Sequence, residues 1–191
     1  IGVQIPICFV GSHVSALPLK VLEEELSIDI ILTNEGVYPL RDLLSSDVND
    51  IGSLVNINGL GIRVNGRAFL TKPATVVPQH LMDIDLPGYA WDLLPYKNEP
   101  LDLYRAHFWH AEYDHEKRTP FAAIYTSLGC KFKCNFCMIN ILNRDDNEPI
   151  GVAGSYNTMR YWSTDFVVRE IEKLIAMGVE TLRISDEMFL L

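Results

Sequence analysis

The sequence has little that would send its chain into a membrane, onto a nucleic acid or out of a reducing compartment. Its 191 residues contain no apolar run near the roughly 18–20 residues that a membrane span needs. The apolar start, Ile1 to Val10, has neither a basic leader nor a small-residue cleavage site, so it does not read as a signal peptide. Basic residues are outnumbered, 16 Lys and Arg against 25 Asp and Glu, and the formal net charge is −9. That balance argues against a nucleic-acid partner, because neutralising phosphates takes clustered Lys and Arg. Internal repeats and low-complexity segments are absent. An initiator Met is absent too, and the first residues already look like a strand, which predicts missing sequence upstream.

What is present suits a packed protein. Hydrophobic residues make up 48% of the chain, and a length of 191 can bury a core without disulfide staples. Of the four cysteines, three fall within eight residues and Cys8 stands apart in an apolar run. Clustered thiols favour ligation in a reducing, cytoplasmic setting over an extracellular disulfide framework. Cys8 reads as a small buried hydrophobe.

Three regions differ in pattern, with boundaries at 1–50, 51–118 and 119–191. In the first, Ile5–Val10 reads as a buried parallel strand ending at Gly11. Pro18 suits a first helical turn, with Leu19, Leu22 and Leu26 at helical spacing. Ile28–Leu32 is a second strand, and Pro39–Leu44 starts another helix. Strand–helix–strand–helix is the mark of a parallel α/β sheet. In the second region, Asn65-Gly66 sits between Gly61–Val64 and Arg67–Thr71 as a hairpin turn. Prolines at 73, 78, 87, 95 and 100 then break any long element, leaving a connector anchored by Trp91, Leu93, Leu94 and Tyr96. In the third, Phe121–Thr126 is a strand, Ser163 or Thr164 caps a helix with the stripe Val167, Ile171, Leu174 and Ile175, and Gly178 stops it. Thr181–Ser185 is the next strand and runs into Asp186-Glu187.

The most specific feature is Cys130-Lys-Phe-Lys-Cys134-Asn-Phe-Cys137, just after a predicted strand. Thiolates suit both zinc and iron–sulfur clusters. A closed zinc site needs four ligands, and the fourth cysteine, Cys8, belongs to a different unit. Three cysteines leave one metal of a cubane open, as a catalytic centre requires. A non-catalytic iron–sulfur or zinc module stands as the alternative.

This Cys-x3-Cys-x2-Cys loop, with Phe136 before the last cysteine, resembles the signature of the radical SAM superfamily. The resemblance implies that Cys130, Cys134 and Cys137 bind a 4Fe–4S cluster whose open iron chelates S-adenosylmethionine. One electron then cleaves the sulfonium to methionine and a 5′-deoxyadenosyl radical. Thr126-Ser127-Leu128-Gly129-Cys130 resembles the family's entry to the loop, at the C-terminal end of a barrel strand, where barrel active sites are built. Ser185-Asp186-Glu187 resembles the second-strand motif that binds the amino group of S-adenosylmethionine, and Phe136 joins these as a cofactor-binding residue.

The first region resembles the latter part of the cobalamin-binding domain that precedes many radical SAM domains. The resemblance rests on Gly11-Ser12-His13 and on Asn34-Glu35-Gly36. It implies that Gly11, Ser12, His13, Glu35 and Gly36 meet cobalamin at strand C-terminal ends, with glycine allowing close approach. His13 is expected to hydrogen-bond rather than to ligate cobalt. Leu86-Pro87-Gly88-Tyr89-Ala90-Trp91 resembles the family's interdomain stretch.

The expected architecture is therefore α/β: the end of a Rossmann-like sheet, a linker, and the first strand–helix units of a partial radical SAM barrel. The stretch after Arg118 is far shorter than the roughly 200 residues of a full barrel, which predicts a fragment. The implied activity is cobalamin-dependent methyl transfer to an unactivated carbon. The alternative within enzymes is a radical SAM cyclase or rearrangement catalyst. Expected partners are a small-molecule or peptide substrate and a reductant such as flavodoxin or ferredoxin, with no nucleic acid and no membrane. His107, His110 and His115 with Glu112 and Asp114 do not form a recognised zinc pattern and read as solvated or capping groups.

Overall fold

The computed structural model describes residues 5–98, 119–132, 134, 136–139 and 159–189. It divides into two compact units, Ile1–Pro78 with Gly129–Met159, and Gln79–Leu128 with Arg160–Leu191. The histidines at 107, 110 and 115 lie outside the described residues.

The first unit is built on a four-stranded sheet of order β1-β2-β3-β4. Its strands are β1 (Cys8–Val10), β2 (Ile30–Leu32), β3 (Leu60–Val64) and β4 (Arg67–Leu70). Helices α1 (Ser12–Ala16) and α2 (Pro18–Glu24) join β1 to β2, which pair in parallel. After β2 come α3 (Val37–Leu44) and α4 (Ile51–Leu54), and then β3 and β4 add antiparallel strands. The hairpin forms because Asn65 and Gly66 both take positive φ, 51° and 76°, as a two-residue turn between twisted strands requires.

Period-two alternation sorts the core. Ile30 and Leu32 pack with Leu43, Leu54, Ile57, Leu60 and Ile62. Ile31, on the opposite face, packs with Val14, Val21, Leu22 and Ile28. Helices thus cover both faces at β2, but β1 does not have the burial its sequence predicts. Ile7, Phe9 and Val10 are 46%, 47% and 58% exposed, and among the described residues β1 stands at the edge of the sheet with β2 as its neighbour. Cys8 is likewise exposed, although partial desolvation at its sulfur holds the thiol above its ordinary pKa. In α2, Leu22 is fully buried, whereas Leu19 and Leu26 are open to solvent and the helix ends before Leu26.

The second unit contains the expected strand–helix–strand step. Strands β5 (Phe121–Ile124) and β8 (Thr181–Ile184) pair in parallel across helix α6 (Thr164–Ala176). Two short strands, β6 (Ser127–Leu128) and β7 (Arg160–Tyr161), pair antiparallel. Ser163 caps α6, its Oγ accepting from the Phe166 N–H at 3.1 Å. Gly178 ends the helix at φ 89°, where the Val179 N–H reaches back to the Leu174 carbonyl at 3.0 Å.

The buried face of α6 is rotated from the predicted stripe. Phe166, Glu170 and Leu174 are buried, while Ile175 is 65% exposed. The reason lies upstream. Helix α5 (Met82–Asp85) and the 3-10 turn Trp91–Leu93 belong to this unit, and Trp91, Leu94 and Tyr96 pack onto Ala122, Ile124 and Leu174. The stretch 51–118 is therefore divided between the units. Its hairpin completes the first sheet, and its described later part packs with the second unit.

Candidate functional site

The C-terminal ends of β5 and β8 lie side by side, with Ile124 opposite Ile184. The chain leaving β8 enters Ser185-Asp186-Glu187, and the Ser185 N–H donates to the Ile124 carbonyl at 2.9 Å. Asp186 then turns onto the residues that follow β5. Its Oδ1 accepts from the Thr126 N–H at 2.7 Å, and its Oδ2 accepts from the Thr126 and Ser127 hydroxyls at 2.5 and 2.8 Å. These bonds hold the carboxylate to the segment that leads into β6, which makes Asp186 a clasp between two strand ends.

Glu187 behaves differently. Its residue surface is exposed, yet its carboxyl is desolvated enough to rise above the ordinary pKa, with the Asp186 carboxylate adding to the rise. A carboxylate crowded by another negative charge and open on one side is suited to accept hydrogen bonds from an ammonium group. Of the two acidic strand-end residues, Glu187 is the more exposed.

Tyr89 joins this end of the unit, a placement the sequence did not signal. Its ring lies 4.8 Å from that of Trp91. Desolvation raises the phenol pKa against the pull of a hydrogen bond at the Tyr125 backbone, and the Asp186 and Glu170 carboxylates add to the rise. Gly88, immediately before it, has φ 92°, and a Cβ there would sit 2.8 Å from the Glu170 carboxyl carbon. Glu170 is 5% exposed, with Oε1 on Lys173 Nζ at 2.6 Å and Oε2 without a hydrogen-bond partner among the described residues.

The cysteine loop follows β6. Gly129 is buried with φ 91°, Cys130 and Cys137 are half-buried, and Cys134 is exposed. The Cys137 N–H donates to the Cys134 carbonyl at 3.1 Å, closing a tight turn over the Cys-x2-Cys pair. None of the described cysteines is in a disulfide. Among the described residues no three His, Cys, Asp or Glu side chains are gathered closely enough to hold a metal ion. The donor set itself, three thiols of soft character in one loop, fits an iron–sulfur cluster. Phe136 is 88% exposed. By chain division the loop belongs with the first unit, and Ser185, Asp186 and Glu187 belong with the second.

In the first unit, the loops after the parallel strands β1 and β2 meet at one end of the sheet. The Asn34 N–H donates to Ser15 Oγ at 3.0 Å, joining the two loops. Gly11 has φ 131°, and a Cβ built there meets no atom within 4 Å, so its backbone presents an open surface. That openness fits the close approach of a bulky cofactor. Gly36 is glycine for another reason: at φ 77° its Cβ would lie 2.8 Å from Val10 Cγ2. Glu35 is committed to the fold, its Oε2 accepting from the Val77 N–H at 2.9 Å. Ser12 opens α1, and His13 is exposed. A concavity of about 450 Å³ in this unit is lined by Ile5, Pro6, Asp29 and Arg63 among others, at the start of β2 rather than its end.

No family model matches the chain. An uncharacterized methyltransferase of Pyrococcus horikoshii is 26% identical over 185 residues, which is 95% of this chain and 33% of that protein. The chain thus spans about a third of the length of this curated relative. Among solved structures, it is similar to the cobalamin-dependent S-adenosylmethionine radical enzyme OxsB with aqua-cobalamin and S-adenosylmethionine bound. The TM-score is 0.61 at 18% identity, over 96% of this chain and 21% of OxsB. It is also similar to the radical S-adenosylmethionine methyltransferase TsrM from Kitasatospora setae with tryptophan and a SAM analog bound. There the TM-score is 0.59 at 20% identity, over 96% of this chain and 30% of TsrM. A second TsrM structure, holding cobalamin and a 4Fe–4S cluster, matches at TM-score 0.53 and 18% identity. These likenesses show the fold, a mixed α/β arrangement shared with regions of such enzymes.

Proposed function

We propose that this chain supplies part of a cobalamin-dependent radical SAM enzyme, acting as a methyltransferase on an unactivated carbon. The observation that carries the reading is the Cys130-x3-Cys134-x2-Cys137 loop, placed directly after a strand-end region clasped by Asp186. The fold likeness to OxsB and TsrM and the weaker sequence likeness to a methyltransferase support it.

In this reading Cys130, Cys134 and Cys137 hold a 4Fe–4S cluster, which supplies a single electron for reductive cleavage of S-adenosylmethionine. Glu187 receives the ammonium of S-adenosylmethionine, while Asp186 keeps the β5 and β8 ends in register beneath it. The family resemblance assigns Phe136 to S-adenosylmethionine as well. Gly11 gives cobalamin a surface free of side chain, and Ser12 and His13 offer hydrogen-bonding groups beside it. Glu35 and Gly36, held by Val77 and set close to Val10, bring the neighbouring loop to the same cofactor. A one-electron reductant such as flavodoxin or ferredoxin, in a cytoplasmic setting, completes the scheme. Among the described residues no helix is long and apolar enough to cross a membrane.

A second reading, radical chemistry without methyl transfer, is favoured by the likeness to OxsB, which is described as a radical enzyme rather than a methyltransferase. Anaerobic reconstitution tests both readings. An enzyme-type cluster gives an electron paramagnetic resonance signal that changes on adding S-adenosylmethionine, and a closed iron–sulfur or zinc module gives none. Replacing any one of Cys130, Cys134 or Cys137 by Ala is expected to abolish the signal, while Cys8→Ala retains it. Bound cobalamin, read from its visible absorption, with methylated product distinguishes methyl transfer from the second reading.

A further inference from the structure

Strand β7 has an unusual neighbour on its open side. The Gln79 side-chain amide bonds both backbone groups of Tyr161: Nε2 donates to the Tyr161 carbonyl at 2.8 Å, and the Tyr161 N–H donates to Oε1 at 2.8 Å. This pair reproduces what a strand neighbour would offer, across 82 positions of sequence. Two residues later the Ser163 N–H donates to Asp83 Oδ1 at 2.9 Å. Between them, Trp162 Nε1 donates to the Leu86 carbonyl at 2.8 Å and its ring stacks 6.1 Å from Phe166. The stretch from Gln79 to Leu86 therefore holds the backbone of Tyr161 and of Ser163 and the side chain of Trp162 between them.

The other side of β7 pairs with β6, Ser127 opposite Tyr161 and Leu128 opposite Arg160. Ser127 is also held by Asp186. The chain then passes from Leu128 through Gly129 straight into Cys130. A two-residue strand has too few ladder bonds to hold its own direction, so its neighbours set it. Here those neighbours are β7, fixed by Gln79, and the Asp186 carboxylate.

We propose that Gln79 is a positioning residue for β7 and, through it, for β6, the strand from which the chain runs on into Cys130, with Asp83 in support. This deepens the radical SAM reading and rests on it for the meaning of the loop. Neither residue touches a cofactor in this scheme.

The test uses the full chain with Gln79→Ala and Gln79→Glu. The glutamate variant keeps an acceptor for the Tyr161 N–H and loses the donor to its carbonyl. Two readouts need no cofactor: hydrogen exchange at the Tyr161 amide, and the alkylation rate of Cys130 resolved by mass spectrometry. In Gln79→Ala, Tyr161 protection is expected to fall roughly tenfold and Cys130 alkylation to change by a similar factor, as loss of two hydrogen bonds to one residue's backbone implies. Gln79→Glu is expected to retain most of the Tyr161 protection and to restore the Cys130 rate toward wild type. In reconstituted protein, the paramagnetic signal of Gln79→Ala is expected to broaden and to lose part of its response to S-adenosylmethionine. Unchanged Tyr161 exchange and Cys130 alkylation in Gln79→Ala overturn the proposal. If wild-type protein shows no S-adenosylmethionine response while the two cofactor-free readouts behave as expected, the radical SAM reading falls and the positioning role stands.

Discussion

The Asp186 carboxylate grips Thr126 at both of its polar groups, Oδ1 on the amide N–H at 2.7 Å and Oδ2 on the hydroxyl at 2.5 Å. Charge-assisted bonds of this kind are stronger than neutral ones, and their donors are part-buried. Asp186→Ala leaves the Thr126 N–H and the Ser127 hydroxyl without this acceptor. It is expected to lower unfolding free energy by about 2–3 kcal/mol in urea denaturation. Asp186→Asn, which retains one carbonyl acceptor, is expected to lose about half as much.

Glu187 yields a pH prediction of defined sign. Its folded pKa is raised, chiefly by desolvation and then by Asp186, so folding favours the protonated carboxyl. Its contribution to stability is complete below the unfolded carboxylate pKa and is lost as pH rises through the folded value. Glu187→Gln is therefore expected to raise the melting temperature at neutral pH and to lose that advantage in acid. On the proposed radical SAM reading, the same substitution is expected to weaken S-adenosylmethionine binding in titration calorimetry, because the ammonium would lose its anionic acceptor. A variant that is less stable at neutral pH would contradict the first half, and unchanged affinity the second.

Gly88 and Gly178 separate two costs of adding a side chain. Both have positive φ, 92° and 89°, but a Cβ at Gly88 meets the Glu170 carboxyl at 2.8 Å and one at Gly178 meets nothing within 4 Å. Gly178→Ala is expected to cost the backbone term, about 1–2 kcal/mol. Gly88→Ala adds overpacking against a buried side chain and is expected to cost about 2–4 kcal/mol. Chemical denaturation of the two variants side by side measures the difference. Equal losses would mean that the approach to Glu170 relaxes freely.

Arg63 offers a test in the first unit. Its guanidinium donates to the carbonyls of Leu22, Glu25 and Ile28, the Glu25 bond at 2.8 Å, tying the end of α2 to the start of β2. The Leu22 carbonyl lies in the last turn of α2, where a helix leaves its carbonyls without intrahelical partners. Lysine keeps the charge but not the fork, so Arg63→Lys is expected to cost about 1–3 kcal/mol. Loss of amide protection confined to residues 22–30 would locate the effect.

The parts legible in the sequence are those decided locally. Asn65-Gly66 fixes its hairpin because both residues tolerate positive φ, and Ser163 caps α6 through a contact three residues away. The parallel pairs β1–β2 and β5–β8 follow from strand–helix–strand spacing. What escaped depends on distant neighbours. Glu170 is buried because Gly88 lies against it, so an apolar stripe that included Ile175 misjudged the face of α6. Gln79 and Asp83 read as ordinary polar residues of a connector, since nothing local marks the backbone they hold some 80 positions later. At the candidate site Ser185-Asp186-Glu187 was legible as a motif, but the difference between a clasping Asp186 and an exposed Glu187 was not.

The position of β1 has a practical consequence. Among the described residues it is an edge strand with exposed apolar side chains, and an edge of that kind is a template onto which an extended segment can zip. A purified chain of this length will meet that hazard first as turbidity on concentration. A charged residue at Phe9 or Val10 is the substitution that would blunt it.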